Sequence, residues 1–182
     1  MIVSPSNIIE GLFGVIVANV DSLNAVIRQY DRNASLHLFK GIRKTAPLSM
    51  FPCLEIEPVS GSMDWQTTSA QTCEYTVDCV LTVKCGANIE SGVEYISSLA
   101  RRLTSIFNYP PNMTWAVPNE YLDEEQKHPI YCQYSDIRSV DYMSTKDFSI
   151  RVARWQMTCR TIEPFPHPVQ GLAPQSVDWK KD

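Results

Sequence analysis

The clearest pattern in the chain is an alternation of apolar and polar residues over positions 72–85. The apolar side chains that fall on every second position are Cys73, Tyr75, Val77, Cys79, Leu81, Val83 and Cys85. Polar residues occupy the positions between them, and only Val80 interrupts that series. A period of two places the two sets on opposite faces, so the pattern predicts a β-strand with one buried and one largely wet face. At about 3.3 Å per residue the strand would span roughly 40–45 Å, which predicts that it extends beyond one compact sheet or is bent by a bulge.

Two other segments have the spacing of amphipathic helices. Residues 5–30 follow a Ser4-Pro5 pair that suits a helix start, and apolar positions recur through the segment at helical intervals. Gly11 and Gly14 lower its helix propensity. In the second segment, 89–107, the apolar stripe consists of Val93, Ile96, Leu99, Leu103, Ile106 and Phe107. We expect two helices, packed on one face of the sheet.

Three further stretches predict strands, at residues 50–57, 130–143 and 148–162. Pro52 restricts the first to a sheet edge or to the start of a strand. In the other two, the apolar positions change parity part-way, which indicates a β-bulge, or in the last case a strand that passes from one sheet surface to another. The resulting fold class is α+β: an antiparallel or mixed β-sheet of about four strands with two helices on one face, plus long loops and an extended C-terminal arm.

The end of the chain differs in composition from the rest. Residues 163–182 carry four prolines and show no periodicity, which favours an extended, polyproline-like arm. We therefore expect a single domain over residues 1–162 and a proline-rich arm over 163–182. A docked arm and a disordered tail both remain open.

Large apolar residues also lie in segments that have no core of their own. Leaving all of them in water would be unusual for a monomer. We predict that they form an interface, and they are Trp65, Trp115, Tyr121, Phe165, Leu172 and Trp179.

Charge and cysteine usage narrow the function classes. The 182 residues include 16 Lys and Arg against 20 Asp and Glu, a net charge of −4, which argues against a protein that wraps nucleic acid but not against a pore through which DNA passes. The six cysteines have no metal-ligand spacing, so we expect free buried thiols and no metal. The N-terminus lacks the features of a secretory signal, and its apolar run is too short to cross a bilayer, so no membrane partner is expected.

Known catalytic and cofactor-binding motifs are missing. The sequence contains no P-loop, GxSxG, GxGxxG or HExxH pattern. The three histidines, His37, His128 and His167, have no recognisable nucleophile or carboxylate beside them. We therefore expect no catalytic residue and no cofactor, and a structural or binding role.

The order of the predicted elements is itself informative. A helix is followed by Phe51-Pro52-Cys53-Leu54, then by the long alternating strand, a second helix, and closing strands that end in DFSIRVARWQMTCRT. As a whole this order resembles the tail terminator and tail-completion (head–tail joining) proteins of tailed bacteriophages, in which a helix precedes a short "FP-x-hydrophobic" strand. The resemblance covers residues 8–162 and lies in the order of elements rather than in catalytic residues.

The resemblance implies a structural virion protein. Members of that family form rings, usually hexamers, at the head-proximal end of the tail tube, where they stop tube polymerisation and join the tail to the neck or connector. For this chain it implies a homo-oligomeric ring in the tail–neck region of the virion, made in the bacterial cytoplasm, with tail tube and neck proteins as partners and DNA passing through the lumen. Two alternatives stay open: another phage neck or head-completion subunit, and a small-molecule-binding α+β regulatory domain.

Overall fold

A computed structural model describes residues 3–42, 50–65, 70–85, 89–116, 130–134, 137–145 and 149–164. Within these ranges the helices are α1 (Pro5–Val17), α2 (Val20–Tyr30) and α3 (Ile89–Phe107), and a short 3-10 turn spans Pro110–Asn112. The strands are β1 (His37–Lys40), β2 (Cys53–Trp65), β3 (Ala70–Lys84), β4 (Thr114–Ala116), β5 (Tyr131–Tyr134), β6 (Asp141–Ser144) and β7 (Ile150–Pro164).

All seven strands belong to one mixed sheet. The order is β1-β2-β3-β7-β5-β4, and β6 pairs with β7 on the same edge as β5. The β1–β2 pair is parallel and the other pairs are antiparallel. The α+β class is confirmed, but the expected count of about four strands was wrong. The two strands that were not predicted, β1 and β4, are four and three residues long, which is too short for alternation to distinguish them from loops. The stretch expected to be one strand over residues 130–143 contains two, β5 and β6.

The long alternating stretch is the centre of the sheet. β3 pairs with β2 on one side and with β7 on the other over its whole length. The β3–β7 register runs without a shift from Ala70↔Pro164 to Lys84↔Ile150, so the bulge expected in the last strand was wrong. The bulge lies in β2 instead, between Pro58 and Ser60. The parity change over residues 130–143 has a different origin, because β5 and β6 are separate strands there.

The single helix expected over residues 5–30 is two helices, so α1, α2 and α3 replace the two that were predicted. The side chain of Asn19 donates to the carbonyl of Val15 at 2.9 Å, and Ser22 Oγ donates to the carbonyl of Asn19 at 2.8 Å. The Asn19 amide thereby takes the Val15 carbonyl, and the backbone N–H of Asn19 bonds to Ile16 instead. The Asn19 carbonyl then begins the ladder of α2 by accepting from the backbone N–H of Leu23. Among the described helices none alone has the length and apolarity of a membrane span, and only α1 and α2 taken together meet that test, with a bend of 66° between them.

The core lies between one face of the sheet and the helices. The register places Leu54, Leu81 and Ala153 in one row across β2, β3 and β7, and all three are fully buried. α1 packs against β2, whereas α3 packs against β3 and β7 and also contacts α1 and α2. Burying one of the larger apolar side chains stabilises the fold by roughly 1.5–3 kcal/mol relative to leaving it exposed. The layer between sheet and helices therefore stabilises the whole sheet.

Candidate assembly surface

Trp115 is the one predicted interface residue whose side chain the structure describes. It lies on β4, half-buried, with its ring 5.2 Å from that of Tyr134. Its indole also fills the space beside Gly11 of α1. Trp115 therefore packs on this chain's own core, although part of the ring stays exposed, and an interface role for it stays a prediction.

The side chains of the other predicted interface residues lie outside the part of the chain that the structure describes. Trp65 ends β2, where its backbone pairs with Gln71, but its side chain lies outside the described residues. Tyr121, Phe165, Leu172 and Trp179 also lie outside them. Their roles stay predictions.

A surface that the sequence analysis missed lies along β6. This strand pairs with residues 151–154 of β7, and within the described part of the chain its outer edge has no partner strand. All four residues of β6 are exposed, and Tyr142 and Met143 are 52% and 51% accessible. An unpaired strand edge with large apolar side chains is a ready site for association with another chain.

The two apolar residues of β6 point to opposite sides of the sheet. Tyr142 is level with Ala153 on the face that carries the helices, and Met143 is level with Val152 on the other face. On the helix side, Val93 of α3 is 47% exposed and shares a shallow depression of about 260 Å³ with Tyr142. We call Val93, Tyr142 and Met143 the β6 patch.

A signal for the β6 patch was present in the sequence. Consecutive strand residues face opposite ways, so Tyr142 and Met143 cannot both point into a core on one side of a sheet. Val93 was placed on the buried stripe of its helix, but α3 turns it outward beside Tyr142. Helical spacing defines the stripe but not its width.

The sheet face opposite the helices carries charge pairs. Asp78 of β3 pairs with Arg154 of β7, and Glu74 pairs with Arg160 further along the same two strands. Asp78 is 2% exposed, and its Oδ1 has no hydrogen-bond partner among the described residues. Arg154 therefore compensates a carboxylate that water barely reaches.

A buried carboxylate joins the start of the chain to the end of β7. Glu163 is fully buried and accepts from Thr161 Oγ1 at 2.9 Å, from the backbone N–H of Val3 at 3.3 Å and from the Tyr75 hydroxyl at 3.3 Å. The Tyr75 hydroxyl also lies 2.9 Å from the carbonyl of Val3. Burial, and then the neighbouring Glu163 carboxylate, raise the pKa of the Cys73 thiol to about 11 and raise the pKa of Tyr75 as well. Residues 163 and 164, which the sequence analysis assigned to the arm, are thus the last two residues of β7.

All six cysteines are free and buried. Burial, together with the neighbouring Asp78 carboxylate, raises the pKa of Cys79. A hydrogen bond with Cys132, and then burial, raise the pKa of Cys159. No group of three His, Cys, Asp or Glu side chains in the described ranges is placed to hold a metal ion.

The chain is similar in fold to a protein of a solved virion structure. No family model and no curated protein matches the chain. A chain in a solved structure titled "Virion of native gene transfer agent (GTA) particle" is similar in fold, with a TM-score of 0.49 and 7% sequence identity. The match covers 84% of this chain and 92% of that chain. At that level of similarity the likeness carries no functional inference by itself.

Proposed function

We propose that this chain is a structural virion protein of a tailed phage or phage-like particle. In this proposal it forms a closed ring at the head-proximal end of the tail tube, ends tube polymerisation and joins the tail to the neck. It carries out no catalysis and needs no cofactor. The proposal rests on the order of elements in the sequence and on one structural observation, the apolar edge of β6, which has no partner strand among the described residues.

The β6 edge has the properties that self-association requires. Burying Tyr142, Met143 and Val93 would remove apolar surface from water, at about 25 cal/mol per Å². The free N–H and C=O groups of β6 would gain partners from another chain. A stable interface of more than about 1,000 Å² needs further contacts, and the arm and the long loops are available to supply them.

A ring also needs two different surfaces on each subunit. Head-to-tail contacts are heterologous, because one patch of a subunit meets a different patch of the next. β6 lies beyond β7, whereas β1 forms the opposite end of the sheet order. This asymmetry supports a closed cyclic assembly.

The test measures particle mass and shape. Light scattering and negative-stain images of the purified chain are expected to show rings of uniform size. Met143→Lys is expected to shift the chain to monomers, because a charge would be buried in the contact. Val59→Lys is the matched control, since Val59 is 55% exposed on β2, outside the β6 patch.

Two results would contradict the proposal. A chain that stays monomeric at all concentrations would exclude ring formation. Rings that form equally well with Met143→Lys would exclude β6 as the contact. In particle-producing cells that lack the protein, overlong tail tubes are expected, whereas filled heads without normal tails would favour a head-completion subunit instead.

A further inference from the structure

A cleft lies at the end of the sheet where β3 finishes and α3 begins. Its volume is about 630 Å³, and it is bounded by the end of α2, the residues before β1 and β2, and the first turn of α3. The lining includes the rings of Tyr30, Phe51 and Tyr95 on its apolar side and exposed Gln29, Asn33 and Lys84 around its polar side. We call it the end cleft.

The floor of the end cleft is aromatic and held in place. Tyr30 and Tyr95 are stacked with ring centroids 4.7 Å apart, and the Tyr30 hydroxyl lies 3.3 Å from Ser98 Oγ of α3. Tyr95 is 4% exposed, and its hydroxyl has no hydrogen-bond partner among the described residues. The stacking and the contact with Ser98 hold the two rings against α3, so they offer a fixed aromatic surface.

We propose that the end cleft binds the proline-rich arm of a neighbouring copy of this chain. Aromatic grooves with polar rims are the usual receptors for polyproline segments, whose prolines pack on the rings while their carbonyls accept hydrogen bonds. In the arm, Pro164, Pro166 and Pro168 alternate with other residues, and residues 164–177 contain no Lys, Arg, Asp or Glu. The lining of the end cleft carries one carboxylate, Asp31, and one ammonium group, Lys84, whose charges are opposite. The cleft therefore suits a segment without charged side chains.

The positions of cleft and arm favour a neighbouring copy over the same chain. The end cleft lies beside Lys84, which pairs with Ile150 at the start of β7. The arm leaves β7 at Pro164, the far end of this 15-residue strand, which is about 46 Å from Ile150 at roughly 3.3 Å per residue. Residues 165–182 would extend about 55 Å in polyproline II geometry, so an arm that bound its own cleft would use nearly all of its length to return along the sheet. Donor and receptor at opposite ends of one subunit match a head-to-tail contact.

The experiment maps where the arm binds in the assembled full-length chain. A photo-crosslinking benzoylphenylalanine replaces Val169, and ¹⁵N-labelled chains that carry it are mixed with unlabelled chains before irradiation. We expect crosslinked peptides that join a labelled arm to an unlabelled segment containing residues 29–37, 51–52 or 84–95. Gln29→Trp, which fills the end cleft, should abolish these crosslinks. The control Arg28→Trp changes the preceding exposed residue, which does not line the cleft, and should keep them.

Each alternative result overturns the inference. Crosslinks within single labelled chains would assign the arm to its own subunit, and crosslinks to other segments would assign it to another surface. Crosslinks that survive Gln29→Trp, in a variant that unfolds at the same temperature as Arg28→Trp, would also exclude the cleft. The inference rests on the proposed function only because it requires self-association. A chain that stays monomeric would contradict both the proposed function and the cleft assignment. Rings whose arms crosslink elsewhere would contradict only the cleft assignment.

Discussion

The indole of Trp115 occupies the space in which a side chain on Gly11 would lie. A Cβ atom built on Gly11 would be 2.6 Å or less from Nε1, Cε2 and Cδ1 of that ring. Gly11 is buried in the middle of α1, and Trp115 lies on β4, more than a hundred residues later. The absence of a side chain at Gly11 thus allows α1 to lie directly against the edge of the sheet.

We therefore predict opposite effects for the two glycines of α1. Gly11→Ala should lower the free energy of unfolding by about 1–3 kcal/mol, because displacing the indole costs more than the helix propensity gained. Gly14→Ala should raise it by roughly 0.5–1 kcal/mol, because no atom lies within 4 Å of the added Cβ. Urea denaturation measures both, and a stabilised Gly11→Ala variant would show that Trp115 does not hold this position.

A second matched pair of substitutions tests the two charge pairs of β7. Arg154→Ala should destabilise the fold by roughly 1–3 kcal/mol, because it leaves the buried Asp78 carboxylate without its counter-charge. Arg154 itself is half-exposed, and solvent screening limits the loss. Arg160→Ala should cost less than about 1 kcal/mol, since both partners of its pair with Glu74 are accessible. Equal losses in the two variants would mean that burial of Asp78 does not decide the effect.

The sequence was sufficient for the central strand and for α3, and insufficient for contacts between distant residues. The alternation from Cys73 to Cys85 identified the central strand because its apolar positions all face the helices. Short strands such as β1 and β4 were missed because three or four residues leave no measurable period. Gly11 was counted only as a weakness of its helix, since nothing local indicates that a tryptophan from β4 packs there.

The candidate site was only partly accessible from sequence for a similar reason. Exposure of Tyr142 and Met143 depends on β6 being a separate edge strand, and residues 130–143 were expected to form one strand. The end cleft joins residues from α2, β3 and α3, whose meeting is a consequence of topology. The arm is a prediction from its prolines, and residues 165–182 lie outside the described part of the chain.

The thiols should be unreactive in the folded chain. Burial raises the pKa of Cys73, Cys79 and Cys85, and a hydrogen bond with Cys132 and then burial raise the pKa of Cys159. Only the thiolate attacks an aromatic disulfide reagent, and all six thiols are buried. At pH 8 the native protein should release almost no chromophore, and the unfolded, unreduced protein should titrate six thiols, as many as the chain contains. A count of two or fewer after unfolding would indicate disulfides.

Alkaline pH should destabilise the fold through the same groups. The pKa of Cys73 is raised from 9.0 to about 11 by burial and then by Glu163. Above pH 9 the unfolded chain loses this proton while the folded chain keeps it, so the stability from this group is complete below pH 9 and is lost as the pH rises to about 11. Each pH unit in that window removes roughly 1.4 kcal/mol for this group. Between pH 9 and pH 11, Cys73→Ala should reduce the slope of unfolding free energy against pH by the equivalent of about one proton. An unchanged slope would show that Cys73 is not its source.

The last prediction compares two truncated chains, ending at Ile162 and at Pro164, to separate the stability of the fold from assembly. A chain ending at Pro164 keeps Glu163, and with it the acceptor for Val3, Tyr75 and Thr161, so it should unfold at nearly the same temperature as the full chain. A chain ending at Ile162 loses that acceptor and leaves buried donors without a partner, which costs about 1–3 kcal/mol for each group left unsatisfied. Both chains lack the arm, so both should assemble less well than the full chain. Thermal unfolding measured beside particle mass distinguishes the two effects.

If the chain ending at Pro164 still formed full-size rings, the arm would have no role in assembly. If the chain ending at Ile162 were as stable as the longer one, Glu163 would not be the link that holds the start of the chain to the end of β7.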